Sequence, residues 1–477
     1  MSSESTDLCL RPAVKLVEML RRGEISAVEL TRMHLERIDR YDFEVNAVVT
    51  RVPERALEQA AGVDAAIAAG ENLGPLAGLP VAHKDTHDTA GIRTTYGSRL
   101  FADHVPDIDE AVIERLGDAG AVTLGKTNVP EFAAGSHTFN EVFGTTRNPY
   151  DLSRSAGGSS GGAAAALACG MTALADGSDM GGSLRNPASF CNVVGLRTTP
   201  GRVPTFPEAE GWATMSVQGP MGRTVADVAL MLSAMAGPHP RSAIALPELG
   251  AVFAGPLPGD LGGLRVAWAP DLGGDVAVDA DVLATLESCP GVFEQLGCVV
   301  EPACPDLSGA HEVFTTVRAH QFASGLGPIH DANPGVLKAA LAWNIELGRA
   351  LGRTELQQAR ERHQQLRRRV DAFFQTYDVL LAPVSQVAPF DASIEYPRTV
   401  AGKEMPTYLD WMRSCYLISA TGCPALSVPA GFTTGGLPVG LQVVGPRGGE
   451  LGVLRAGYAF EQATAVGMQR PGLLAQP

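Results

Sequence analysis

Hydrophobic and polar positions follow two periods along this chain. Ala13, Leu16, Val17 and Leu20 recur every three to four residues, the spacing of an amphipathic helix, and Gly23 ends it. Ser26-Ala27-Val28-Glu29 has the form of a capping box and predicts a second helix with Leu30, Met33 and Ile38 on one face. Leu79 to His83 is a short apolar run after Gly78, which predicts a buried strand ending at Lys84. Ala111 to Leu116 predicts a helix and Ala121 to Leu124 a strand, and Ala163 to Ala168 is rich in the best helix former. Further along, helices are predicted at Val225 to Met235, Val282 to Leu286 and the charged stretch Glu355 to Tyr377. Strands are predicted at Leu264 to Ala269, Cys298 to Val300, Val379 to Ala382, Ala425 to Val428 and Leu441 to Val444. Asp151 to Ser155 is too polar to read as a strand, and Asp176 to Ser183 reads as a polar, glycine-rich stretch. Helix and strand alternate to the end with no repeat and no long linker, which predicts an α/β protein.

Composition narrows this. The chain has 477 residues, more than one ordinary core of about 150, so it is either several domains or one wide α/β domain. The net charge of −15 argues against a nucleic-acid partner. Only Lys15, Lys84, Lys126, Lys338 and Lys403 are lysines; the rest of the 37 basic residues are Arg. The eight cysteines contain no CxxC pair and read as reduced thiols. The first thirty residues lack a basic segment followed by an apolar one, and Ala163 to Ala175 is too short to span a bilayer. The expectation is a cytoplasmic protein with no membrane partner.

Three segments could carry chemistry: Gly78 to Asp85, Gly157-Gly158-Ser159-Ser160-Gly161-Gly162, and Gly177 to Arg185. Neither glycine cluster matches a phosphate loop. Consecutive glycines let backbone N–H groups converge, and donors placed before a serine can form an oxyanion hole. A serine nucleophile needs a base. One arrangement is an α/β-hydrolase elbow with Ser160 as nucleophile and His311, His320, His330 or His363 as base, but no apolar strand precedes it. The other base is a lysine kept neutral by burial at a strand end. Spacing leaves Lys84 and Lys126 both open for that role, while Lys15 and Lys403 read as surface residues.

Together the three segments resemble the amidase signature family. Gly125-Lys126-Thr127-Asn128, Pro187 to Cys191, Gly219-Pro220-Met221 and Ala425 to Pro429 extend the resemblance over most of the chain. It implies one domain with a central mixed, twisted sheet covered by helices on both faces. The N-terminal helical segment would span about 8–60, the catalytic core 75–235, a variable insert 240–375 and the rest of the core 376–470. It also implies a Ser–Ser–Lys triad. Ser183 is the expected nucleophile, Ser159, beside a cis peptide, the bridge, and Lys84 the base, which leaves Lys126 structural. The backbone N–H groups of Met180, Gly181, Gly182 and Ser183 would hold the oxyanion, with Ser160 and Ser178 as supporting hydroxyls. Asp179 and Arg185 would pair to hold the loop.

The reaction implied is hydrolysis of a small or aryl carboxamide, anilide or carbamate through an acyl-enzyme, with no metal and no cofactor. The expected partners are that small molecule and water, and a homodimer is compatible with the reading. The alternatives are the glutaminase subunit of a tRNA-dependent amidotransferase, or the Ser160 esterase. Glutaminase subunits of this family usually carry Gln after the motif arginine, where this chain has Asn186. Arg197 stands where Lys is usual. Tyr96, Phe132, Phe139, Phe143, Phe206, Trp212 and Trp411 are candidate pocket walls.

Overall fold

Pro80–Lys84 lies inside an eleven-stranded sheet with parallel neighbours on both sides. The computed structural model describes residues 7–71, 73–207 and 213–475. In chain order the main-sheet strands are β1 Val48–Arg51, β2 Pro80–Lys84, β3 Val122–Thr127, β4 Leu174–Asp179, β5 Val194–Arg197, β6 Val217–Gly222, β7 Arg265–Trp268, β8 Val299–Pro302, β9 Val379–Pro383, β10 Ala425–Phe432 and β11 Pro438–Val444. Across the sheet the order is β1-β3-β2-β4-β6-β5-β10-β11-β9-β7-β8. The β3–β2–β4 and β9–β7–β8 groups are parallel and the other pairings antiparallel, so the sheet is mixed.

The helical periods predict the packing well. Ala13–Arg21 (α1) and Ala27–Val45 (α2) form as the spacing requires, and Ser26 and Glu29 exchange the hydrogen bonds of the capping box. The α2 face against the core is Leu30, Ile38, Tyr41 and Val45, whereas Met33 is only half-buried. Every residue of Gly161–Ala168 (α3) is buried, which explains its small side chains. A Cβ at Gly162 would lie 2.3 Å from the backbone nitrogen of Asn128, so this helix packs backbone against backbone.

Two expectations need correction. Asp151–Ser155 is a strand, but it lies outside the main sheet, paired with Arg147–Asn148 in a small separate sheet and bridged to Asp391, where polar side chains can face solvent. The stretch Asp176 to Ser183 is half strand, because β2 and β6 flank β4 and supply its backbone partners. The region 240–375 contributes β7 and β8, which extend the main sheet. It also contributes Ala310–Ala332 (α4) and Ala339–Arg349 (α5), packed so closely that a Cβ at Gly348 would lie 1.9 Å from the carbonyl of Ala319.

Candidate active site

The parallel pairing of β2 and β4 brings Lys84 and Ser178 to the same end of the sheet. Lys84 is fully buried, with Nζ 2.8 Å from Ser159 Oγ and 2.9 Å from Ser178 Oγ. Burial pushes its pKa down from 10.5 to about 7, against the opposing pull of Asp179 and Asp176. A neutral amine with a free lone pair is a competent base.

Lys126 is equally buried but faces elsewhere. His83 pairs with Lys126 and Lys84 with Thr127, so the two lysines are one step out of register and leave opposite faces of the sheet. Lys126 Nζ donates to the carbonyl of His87 and to Thr89 Oγ1, a structural arrangement.

Ser159 is held by its loop. The Gly158–Ser159 peptide is cis. Thr138 N and Oγ1 both donate to the Gly157 carbonyl, and Ser136 Oγ donates to that of Gly158. The N–H of Ser160 donates to the carbonyl of Ser183 at 3.1 Å, which ties the two serine loops together. Ser160 itself is fully buried, and its hydroxyl has no hydrogen-bond partner among the described residues. It contacts neither Lys84 nor a histidine through a hydrogen bond, so the esterase arrangement has no base and the expected supporting role is absent from this geometry.

The Ser183 loop is organised by Asp179. One carboxylate oxygen accepts from the Gly182 N–H at 2.9 Å and the other from the Leu184 N–H at 3.1 Å. Arg185 clasps both oxygens at 2.8 and 3.0 Å, and Arg197 adds a contact at 3.3 Å. Burial alone would raise the pKa of Asp179, but Arg185, Arg197 and the Gly182 N–H outweigh it and hold the group well below the usual carboxylate range. The expected Asp179–Arg185 pair is therefore a triad with Arg197. Because Gly182 donates to Asp179, the N–H groups left for an oxyanion are those of Met180, Gly181 and Ser183.

Ser183 is half-buried. Met180, on the same loop, lines a cavity of about 560 Å³ together with Phe132, Phe322 and Leu326. Tyr96 stacks on Phe132 behind that wall. The other aromatic candidates lie elsewhere. Phe139 lines a separate groove, Phe143 and Phe206 lie under Arg93 and Arg241, and Trp411 is core, packed on Phe190 and Phe390. Trp212 falls outside the described residues.

Local sequence pattern missed the layer behind Lys84. Asp176 accepts the Lys84 backbone N–H at 2.9 Å and meets His83 and His87 at 2.5 and 2.7 Å. The i,i+4 histidines around Lys84 were the only signal of it. Among the described residues no group of His, Cys, Asp or Glu is arranged to hold a metal ion, and no helix is long and apolar enough to cross a membrane.

Comparison with known proteins bears on the family and the fold. The family model described as Amidase matches residues 29–454. A curated relative, the A-type subunit of the glutamyl-tRNA(Gln) amidotransferase of Moorella thermoacetica, is 37% identical over 97% of this chain and 98% of its own length. A bacterial aryl acylamidase of the amidase signature enzymes superposes with a TM-score of 0.91 at 27% identity, covering 98% of this chain and 99% of that one. The A-type subunit of the glutamyl-tRNA(Gln) amidotransferase of Thermotoga maritima superposes with a TM-score of 0.75 at 28% identity, covering 96% of each. These names overturn the expected partner set of a small molecule and water without nucleic acid, because such relatives are subunits of an enzyme named for a tRNA. Net charge describes one chain's own surface and not the reaction its assembly serves.

Proposed function

Because the chain belongs to the amidase signature family and is an enzyme acting on C–N bonds, we propose that it hydrolyses a carboxamide through Ser183, Ser159 and Lys84. The observation that carries this is the buried, near-neutral amine of Lys84 in contact with Ser159. Ser183 passes its proton to Ser159 as Ser159 passes its own to Lys84 Nζ. The Ser183 oxygen attacks the carbonyl carbon, and the C=O pair moves onto oxygen, where the N–H groups of Met180, Gly181 and Ser183 receive it. One such donor is typically worth about 10²–10³ in rate. The pair returns, the C–N bond breaks, and the proton travels back from Lys84 through Ser159 to the leaving nitrogen. Water then attacks the acyl-enzyme by the same relay, releasing the acid and restoring Ser183.

For the substrate, the sequence relatives support the glutaminase reading, in which this chain is the amide-hydrolysing subunit of a tRNA-dependent amidotransferase. A second reading, a small or aryl amide, is favoured by the fuller overlay on the aryl acylamidase and by the apolar wall of Phe132 and Phe322. The test is to incubate the purified chain with glutamine and with an anilide and to assay ammonia and aniline. Ammonia release from glutamine, lost in Ser183→Ala, supports the first reading; aniline release alone replaces it with the second. If Ser183→Ala turns over either substrate at the wild-type rate, the nucleophile assignment is wrong.

A further inference from the structure

Arg318 stands on α4 between Phe314 and Phe322, four residues from each, so the three share one helix face. Phe314 packs over the catalytic loop, where a Cβ at Gly181 would lie 3.0 Å from its ring, and Phe322 lines the cavity beside Met180. Arg318 is only 4% exposed. One terminal nitrogen donates to the thioether of Met180 at 3.0 Å and the other to the Tyr408 hydroxyl at 2.8 Å. Its guanidinium lies 4.2 Å over the Phe322 ring, and its Nε is buried with no hydrogen-bond partner among the described residues.

Three other buried arginines, Arg185, Arg197 and Arg202, each meet a carboxylate, and a fourth, Arg223, donates to the backbone carbonyls of Thr172 and Arg11. Among the described residues Arg318 hydrogen-bonds neither a carboxylate nor a carbonyl. No described carboxylate forms an ion pair with Arg318, whose contacts are a hydroxyl, a sulfur and aromatic rings. Arginine keeps its charge at any pH of interest, and a thioether is a weak acceptor. A desolvated charge without a counter-charge is costly unless a ligand supplies one. No described residue lining the adjoining cavity is acidic. Tyr408 is itself held by Asn344, which donates to its hydroxyl at 2.5 Å, so the guanidinium is fixed on one side, and its hydrogen-bond acceptor on the other is the unbranched, adaptable Met180.

We propose that Arg318 anchors a carboxylate carried by the substrate, which displaces the Met180 thioether, and that the enzyme acts on amides bearing a free carboxylate. This rests on Ser183 being the nucleophile and narrows the substrate class of the same site. A neutral anilide would leave Arg318 uncompensated, whereas an amide with a carboxylate would not.

The test compares 4-carbamoylbutyrate with its methyl ester, which share the carboxamide and differ by one charge. Each is used to protect Ser183 from a fluorophosphonate probe, and each is titrated calorimetrically into the Ser183→Ala protein. The acid is expected to bind about 10–100-fold more tightly than the ester, the range of a charge-assisted bidentate contact. Arg318→Met should shrink that gap to within about threefold, and Arg318→Lys, which keeps the charge and loses the fork, should keep part of it. Equal binding of acid and ester to the wild-type protein, or an unchanged gap in Arg318→Met, overturns the proposal. Should Arg318→Met not fold, the wild-type gap and Arg318→Lys decide. Absence of Ser183 labelling would instead overturn the catalytic reading, while calorimetry on Ser183→Ala still judges the anchor.

Discussion

The amine of Lys84 lies 2.8 Å from the hydroxyl of Ser159, although 75 residues separate them in the chain. The contact is made deep in the protein, where neither group is exposed by more than 1%. Burial therefore does two things at once: it lowers the pKa of the amine and removes water that would compete for its lone pair.

The first consequence is a pH profile. With the Lys84 pKa lowered to about 7, the amine is protonated below that value and neutral above it. kcat/KM should fall about tenfold per pH unit below 7 and level off above it. Lys84→Ala should lose about 10²–10⁴ in rate and the acid limb with it. A wild-type rate that is flat from pH 5.5 to 8.5 would refute the assignment.

Lys126 should behave in the opposite way. Lys126→Met leaves the His87 carbonyl and Thr89 hydroxyl without their donor, which costs about 1–3 kcal/mol of stability. Fluorophosphonate labelling of the folded variant should persist. Urea unfolding and labelling on the same samples separate the two lysines, and loss of labelling in a stable Lys126→Met would reverse their roles.

Asp179→Asn leaves Arg185 and Arg197 buried without their carboxylate and should destabilise by about 3–5 kcal/mol. The folded pKa of Asp179 is lower than its unfolded value, so its contribution is present above about pH 4 and is lost as pH falls further. The wild-type-minus-variant stability difference should thus be constant from pH 8 to 5 and shrink below 4. A difference that already collapses between pH 7 and 5 would contradict this.

Gly182 has φ +116°, and a Cβ there would lie 2.6 Å from Cys415 Cβ. Gly182→Ala should cost about 1–3 kcal/mol and slow labelling of Ser183 at least tenfold, since the loop must move to relieve the clash. Gly62, in the exposed helix Pro53–Ala68 with nothing within 4 Å of its would-be Cβ, is the control. Gly62→Ala should leave labelling alone and add up to about 1 kcal/mol of stability through helix propensity. Equal effects at the two glycines would mean that the loop tolerates a side chain.

Local pattern was enough for much of this protein. Periodicity located α1, α2 and the central strands, because burial of an apolar face depends on spacing that any segment carries in itself. The glycine–serine segments marked the two loops now proposed to be catalytic, since backbone freedom beside a hydroxyl is a local property. Spacing alone left Lys84 and Lys126 as rivals. The sheet separates them by a one-residue offset in register, and with a side-chain period of two that offset sends them to opposite faces. Arg197 and Arg318 were equally invisible as charged partners of the loop, because their roles depend on which groups end up beside them, 18 and 138 residues away in the chain. A buried charge takes its meaning from its neighbours, and only the tertiary structure chooses those.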